Sequence, residues 1–332
     1  ILYASHIKIL MMANGLYIQL FSPHGLIRYA DPEIGRDKDT GGQVKYVLEL
    51  LEHLSQHPRI RKVDLFTRRI VDKRVSSAYE KEMDIVNDKA RIIRITCGGN
   101  SYRSKETLWD YLDEFIDKTI RFIEKQDDFP DIVHGHYADG NYLARQVSQV
   151  FGIPMVSTGH SLGRNKKNIL LKEGMSPEKI DEKFNMRRRI EEEEQSLISS
   201  DAIIVSTQHE IDTQYGLYEN KDSGKYYVIP PGVNTDLFFP FYRQDMPSFK
   251  MSIEQEQAWY RVNSDIDRFL FNPAKPLILS IGRADKRKNF ETIIQSYGQD
   301  KELQAMANLA IFAGVRKDIT QMGPEEQDIL TN

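Results

Sequence analysis

Apolar and polar positions along this chain switch repeatedly between two periods. Leu16-Tyr-Ile-Gln-Leu-Phe21, Arg61-Lys-Val-Asp-Leu-Phe-Thr67, Arg91-Ile-Ile-Arg-Ile-Thr96, Asp131-Ile-Val-His134, Ile153-Pro-Met-Val-Ser157, Ala202-Ile-Ile-Val-Ser206 and Tyr226-Tyr-Val-Ile-Pro230 are short runs rich in β-branched and aromatic residues, which predicts buried strands. Between them, Val44, Val47, Leu48, Leu51 and Leu54 recur at helical spacing, as do Leu108, Leu112, Phe115, Ile116, Ile120 and Ile123. Ser104 reads as the N-cap of the second of these helices, and residues 177–199 read as a strongly helical stretch. The loops after the strands are expected at Gly135–Gly140 and Thr158–Gly163. Strands alternating with helices throughout predict an α/β fold with a doubly wound parallel sheet.

The pattern lapses between Phe238 and Phe271, a polar and aromatic stretch without a strand, and resumes after Asn272-Pro-Ala-Lys-Pro276 with the apolar run Leu277–Gly282. At 332 residues the chain is too long for one ordinary core. The expected division is a first domain over 1–240, a linker over 241–275, and the start of a second Rossmann-like domain over 276–332. The second domain stops after a single β-α-β pattern, so a longer protein is expected.

Composition adds exclusions. A net charge of −4 gives no case for nucleic acid. The single cysteine, Cys97, rules out an internal disulfide and a cysteine-built zinc site, and it fits a reducing, cytoplasmic setting. No apolar run reaches the roughly 18 residues of a membrane span.

Candidate chemistry gathers at the expected carboxyl edge of the sheet, where open α/β folds bind ligands. Asp37-Lys-Asp-Thr-Gly-Gly-Gln43 joins a strand to a helix through Gly41 and Gly42, so backbone can approach a ligand closely while the helix presents unpaired N–H groups. An anionic or polyhydroxylated ligand fits there. The Asp-x-Asp spelling of Asp37 and Asp39 does not argue for a metal, since no further carboxylates cluster nearby. His160 lies just past a strand end and reads either as a satisfied turn histidine or as an imidazole facing a ligand. His134 and His136 read as pocket wall or as structural. Basic residues cluster at Arg164–Lys167, Arg187–Arg189 and Arg283–Lys288. The middle cluster has two readings. Forked guanidinium groups suit phosphate, but each arginine also has a glutamate four residues on, as a simple helical ion pair requires.

Taken together, His24–Arg28, Glu33–Val47, Lys105 ahead of Leu108-Trp109, His134-Gly-His-Tyr-Ala-Asp139, Thr158-Gly-His-Ser-Leu-Gly-Arg164, Arg188–Glu191, Val228–Gly232 and Asn272–Pro276 resemble the sucrose-phosphate synthase family, in that family's order and over nearly the whole chain. The resemblance implies the GT-B architecture, two Rossmann-like domains facing a cleft, with the second incomplete here. It implies transfer of glucose from UDP-glucose to fructose 6-phosphate with retention, giving sucrose 6-phosphate and UDP, with no metal or other cofactor. Residue by residue, Gly41, Gly42 and Gln43 would meet the fructose moiety. Lys105, Lys166, Arg188 and Arg189 would hold its phosphate. His160 would orient glucose hydroxyls, and Arg283 and Lys288 would bind the diphosphate. The family's acidic Glu-x7-Glu region lies outside these residues, and Cys97-Gly-Gly stands where the family has Pro-Phe-Gly. Alternatives that stay open are a sucrose synthase, a relative using another sugar phosphate, and a non-catalytic sugar-phosphate-binding domain. A dehydrogenase is disfavoured because no Gly-x-Gly-x-x-Gly follows the first strand.

Overall fold

The computed structural model describes residues 15–235, 238, 250–284, 286–314 and 324–331. It divides into two compact units, Ile1–Gly232 and Val233–Asn332.

In the first unit, β1 (Leu16–Phe21) is followed by α1 (Gly42–Gln56), β2 (Ile60–Arg68), β3 (Met83–Asn87), β4 (Ala90–Ile95), α2 (Leu112–Glu124), β5 (Ile132–His136) and α3 (Tyr137–Phe151). Then come β6 (Met155–Thr158), α4 (Gly163–Lys172), α5 (Pro177–Phe184), α6 (Met186–Ser199), β7 (Ala202–Val205), α7 (Gln208–Thr213) and β8 (Tyr226–Val228). The strands form one sheet in the order β3-β4-β2-β1-β5-β6-β7-β8. All neighbours pair in parallel except β3 with β4.

The strand pleat explains why both faces are covered. Ile18, Leu20, Val63 and Leu65 pack with Val44, Val47 and Leu51 of α1 on one face. Phe21 and Phe66 pack with Leu112, Phe115, Leu143 and Val147 of α2 and α3 on the other. Alternate residues of one strand thus serve two cores, as a period of two requires when helices lie on both sides.

Four details depart from the sequence expectation. The edge strand β3 was not foreseen, because its side chains alternate between exposed and half-buried and carry little apolar signal. Residues 177–199 form two helices, broken where Asn185 turns into the left-handed region at φ 48°. The strand expected to end at His134 continues to His136, paired with Thr158, and α3 begins at once with Tyr137 at φ 66°, so no loop spans 135–140. Ser104 makes no side-chain cap. The chain runs first through two short 3-10 turns, Lys105–Thr107 and Trp109–Tyr111, before α2.

The second unit holds α8 (Ile253–Phe269), β9 (Leu277–Arg283), α9 (Phe290–Gln299), α10 (Lys301–Met306), β10 (Asn308–Gly314) and α11 (Pro324–Thr331), with β9 and β10 paired in parallel. The stretch expected as linker thus carries a 17-residue helix with a Ser252–Gln255 capping box.

Candidate functional site

The strand order reverses between β1 and β5, which makes their carboxyl ends the topological switch point of the sheet. Helix α3 presses tightly on this point. A Cβ at Gly140 would sit 2.3 Å from the Phe21 carbonyl oxygen, and one at Gly135 would sit 2.5 Å from Asn141. Both positions need glycine for that reason. Tyr137 and His160, which lie just past the ends of β5 and β6, adopt left-handed φ values of 66° and 56° without being glycine. Such strained backbone gathers where side chains must be aimed.

The paired glycines sit beside this point. Gly41 takes the N-cap position of α1 without a side-chain cap, and a Cβ at Gly41 or Gly42 would meet nothing within 4 Å. Gln43 Nε2 donates to Ser22 Oγ at 3.1 Å, tying the start of α1 to the residue after β1. The loop ahead of them is built by Asp37, whose Oδ1 accepts the N–H groups of Asp39 and Thr40 at 2.8 and 2.9 Å. Asp39 is buried, and its carboxylate accepts the Lys105 backbone N–H at 3.0 Å and Lys105 Nζ at 2.5 Å. Lys38 pairs with Glu106 at 2.9 Å. Two adjacent ion pairs therefore clamp the glycine loop to the 105–107 turn.

Two of the expected phosphate-site cations share one ring, and a third lies within electrostatic reach of both. Lys105 Nζ lies 5.8 Å from the centre of the Tyr137 ring, and Arg189 Cζ lies 4.4 Å from the same ring. Lys166 is close enough to both to feel them. Burial, and then the charges of Arg189 and Lys105, push its ammonium down to about 8. Arg189 is itself buried, donating to Glu193 Oε1 at 2.9 Å and to the Ser161 carbonyl at 2.7 Å. Glu193 also accepts the Gly163 N–H at 3.0 Å and the Tyr218 hydroxyl, so one carboxylate ties α6 to the N-terminus of the helix that carries Lys166. Arg188, about 100° round the helix from Arg189, stays on Asp110 at 3.3 Å and 5.6 Å from the Trp109 ring. Of the three i,i+4 pairs open to Arg187, Arg188 and Arg189, only Arg189–Glu193 forms among the described residues. Arg187 lies near Asp181 at 3.9 Å, and Glu192 pairs with Arg145 at 2.5 Å.

The histidines form a contiguous stack. His134 and His136 ring centres are 4.2 Å apart, His136 Nδ1 lies 3.0 Å from His160 Nε2, and Tyr46 meets His160 edge-on at 5.0 Å. Burial pushes His134 and His160 down to about 3, and His136 well below its ordinary value, so all three are neutral at physiological pH. A neutral imidazole has one N–H and one lone pair. If His136 Nδ1 donates to His160, then His160 carries its own proton on Nδ1 and can donate it outward. His136 Nε2 is buried without a partner among the described residues. Nearby, His24 Nδ1 lies 2.7 Å from Asp139 Oδ2.

In the second unit, taken by itself, Arg283 ends β9 opposite Gly314. Lys288 ends the 286–288 turn with its side chain exposed, and its stem approaches Gly282. Among the described residues, no group of three or more His, Cys, Asp or Glu side chains is placed to hold a metal, and no helix is long and apolar enough to cross a membrane.

Sequence reasoning named Glu193 only as one of three possible i,i+4 partners, and it passed over the roles of Tyr137, Phe184 and Asp39. Those three depend on contacts between distant segments.

The family model described as the first GT-B domain of sucrose synthase matches residues 8–223. A sucrose-phosphate synthase of Zea mays is 37% identical over 95% of this chain and 35% of its own length. Sucrose-phosphate synthase 4 of Arabidopsis thaliana is 36% identical over 96% of this chain and 35% of its own. The chain thus spans about a third of the length of these curated relatives. Among solved structures, a sucrose-phosphate synthase of Thermosynechococcus elongatus shares the fold with a TM-score of 0.64 at 24% identity, covering 95% of this chain and 66% of that one. The sheet with its switch point between β1 and β5 is thus a GT-B Rossmann-like domain, and the chain belongs to the sucrose synthase family of GT-B glycosyltransferases, with sucrose-phosphate synthases among its similar relatives.

Proposed function

We propose that the protein transfers glucose from UDP-glucose to fructose 6-phosphate with retention, giving sucrose 6-phosphate and UDP, and that the first unit holds the acceptor. The observation that carries this reading is the sharing of the Tyr137 ring by Lys105 and Arg189, beside the glycine loop that Asp39 ties to Lys105, with Lys166 within electrostatic reach of both. A phosphate dianion needs several donors at once. Unphosphorylated fructose would not. Identity of about 36% to relatives named sucrose-phosphate synthase supports the same choice.

In this reading Gly41, Gly42 and Gln43 meet the fructose moiety, Arg188 borders the phosphate site, and His160 donates to glucose hydroxyls. Arg283 and Lys288 of the second unit neutralise the leaving diphosphate. The acceptor hydroxyl attacks the anomeric carbon on the face that UDP leaves, and its proton passes to the departing phosphate oxygen. Catalysis then consists of positioning and charge stabilisation, with no metal or cofactor called for, in a cytoplasmic setting. The test is acceptor choice. The full-length enzyme, given UDP-glucose, should release UDP with fructose 6-phosphate at least about tenfold faster than with fructose, one lost charge-assisted contact being worth that much. Equal rates, or a preference for fructose, would make it a sucrose synthase.

A further inference from the structure

The cations of the acceptor site differ in how they are neutralised. Lys38 rests on Glu106, Lys105 on Asp39 and Arg189 on Glu193. Lys166 has no ion pair among the described residues. Its ammonium instead lies 3.7 Å from the centre of the Phe184 ring. We infer that Phe184 is a positioning residue for Lys166, and that its ring holds the ammonium where a carboxylate holds the others, leaving one charge free for the acceptor's phosphoryl group. This rests on the reading of the site as a sugar-phosphate site.

The placement of Phe184 is built into the chain. It is the last residue of α5, and the next residue, Asn185, makes the left-handed break at φ 48°. Asn185 Nδ2 donates to the Glu106 carbonyl at 2.5 Å, which pins this junction to the turn that carries Lys105. The break between α5 and α6 therefore presents an aromatic face to the site. A second ammonium, Lys183, lies 5.4 Å from the same ring.

The chemistry of the ring matters for an arriving phosphate. A cation over a ring face is held by the ring's quadrupole, with no net negative charge to displace. At Lys105 and Arg189 the phosphate must share the cation with a carboxylate already in place. At Lys166 it does not. The charged groups bearing on Lys166 are Arg189 from α6, Lys105 and Glu106 from the 105–107 turn, and Lys38 from the glycine loop. Three cations against one carboxylate already disfavour its charged form, and the ring offsets part of that cost.

The test is a calorimetric titration of the full chain with fructose 6-phosphate and with fructose. Phe184→Met, which keeps the bulk and removes the ring face, should weaken fructose 6-phosphate about threefold to thirtyfold and leave fructose unchanged. Phe184→Tyr should restore binding to within about twofold, since it keeps the π face. In a Lys166→Met background the Phe184→Met change should cost nothing further. Phe184→Leu repeats the measurement if the Met variant folds poorly. An equal loss in the Lys166→Met background, or an equal loss for fructose, would reduce Phe184 to a packing residue and overturn the inference. If the unaltered chain binds the two sugars equally, it is the acceptor reading that fails.

Discussion

At the residue scale, Glu193 is the keystone of the cation cluster. It is buried, it carries the counter-charge of Arg189, and it caps the start of α4. Replacing it with Gln would leave a buried guanidinium without its anion, and breaking a buried pair from one side is strongly destabilising. Glu193→Gln should cost about 3 kcal/mol in urea unfolding. Glu191→Gln, on the same helix but outside any ion pair among the described residues, should cost no more than about 0.5 kcal/mol. A second prediction concerns Lys166, whose ammonium is pushed down to about 8. A fructose 6-phosphate affinity that uses this charge must weaken as pH rises through that value. The decline should vanish in Lys166→Met, and a decline that persists there would assign it to another group. The Arg189–Glu193 spacing was legible in the sequence. What could not be read was which of three equivalent i,i+4 pairs would form, since Arg188 and Glu192 are claimed by Asp110 and Arg145 from distant segments.

At the element scale, the ends of β5 and β6 decide the chemistry. The sequence period located both strands, and their loop residues pointed to the carboxyl edge. It did not reveal that β5 runs two residues further, because His134-Gly-His136 carries no apolar signal and its strand character comes from pairing with β6. That extension stacks the buried His134 and His136 with the half-buried His160 as neutral rings. The pH consequence has a definite sign. A histidine whose folded pKa lies below its unfolded value binds fewer protons folded than unfolded. The folded state therefore keeps its full stability above about pH 6.5, the unfolded value, and loses it as pH falls from there toward about 3, where His134 and His160 titrate in the fold. Each such ring removes up to about 1.4 kcal/mol per pH unit in that window. The urea midpoint should therefore drop clearly between pH 7 and 5, and His134→Phe should flatten the drop; an unchanged slope would place the acid sensitivity elsewhere. The same scale explains the unforeseen break at Asn185. The helical pattern of 177–199 continues across it, and the corner is set by the left-handed Asn185, whose side-chain amide donates a hydrogen bond to the Glu106 carbonyl. Asn185→Gly should keep the corner at the loss of that hydrogen bond, whereas Asn185→Val should cost about 1–2 kcal/mol more because a β-branched residue resists positive φ.

At the scale of the whole molecule, overall charge does not report where cations gather. The chain carries −4 in total, yet the switch point of its first unit gathers Lys38, Lys105, Lys166 and Arg189. These four cations lie far apart in the sequence, which hides their concentration. It arises because the doubly wound order brings the ends of β1, β5 and β6 together while α4 and α6 arrive from the same side. The fold class was therefore legible from periodicity alone, but the electrostatic character of the site needed the topology. A site built this way should respond unevenly to salt. Screening shortens from about 10 Å at 0.1 M to about 3 Å at 1 M. It reaches the exposed Lys38 easily, but it reaches little of the Arg189 charge, which is buried. Raising the ionic strength from 0.05 to 0.5 M should thus weaken fructose 6-phosphate by only about threefold to tenfold, a moderate loss of the kind partly buried charges show. Fructose, which brings no charge, should bind equally at both salt concentrations. A collapse of sugar-phosphate binding by several hundredfold would mean that the phosphate is held by surface cations instead of by the cluster around Tyr137.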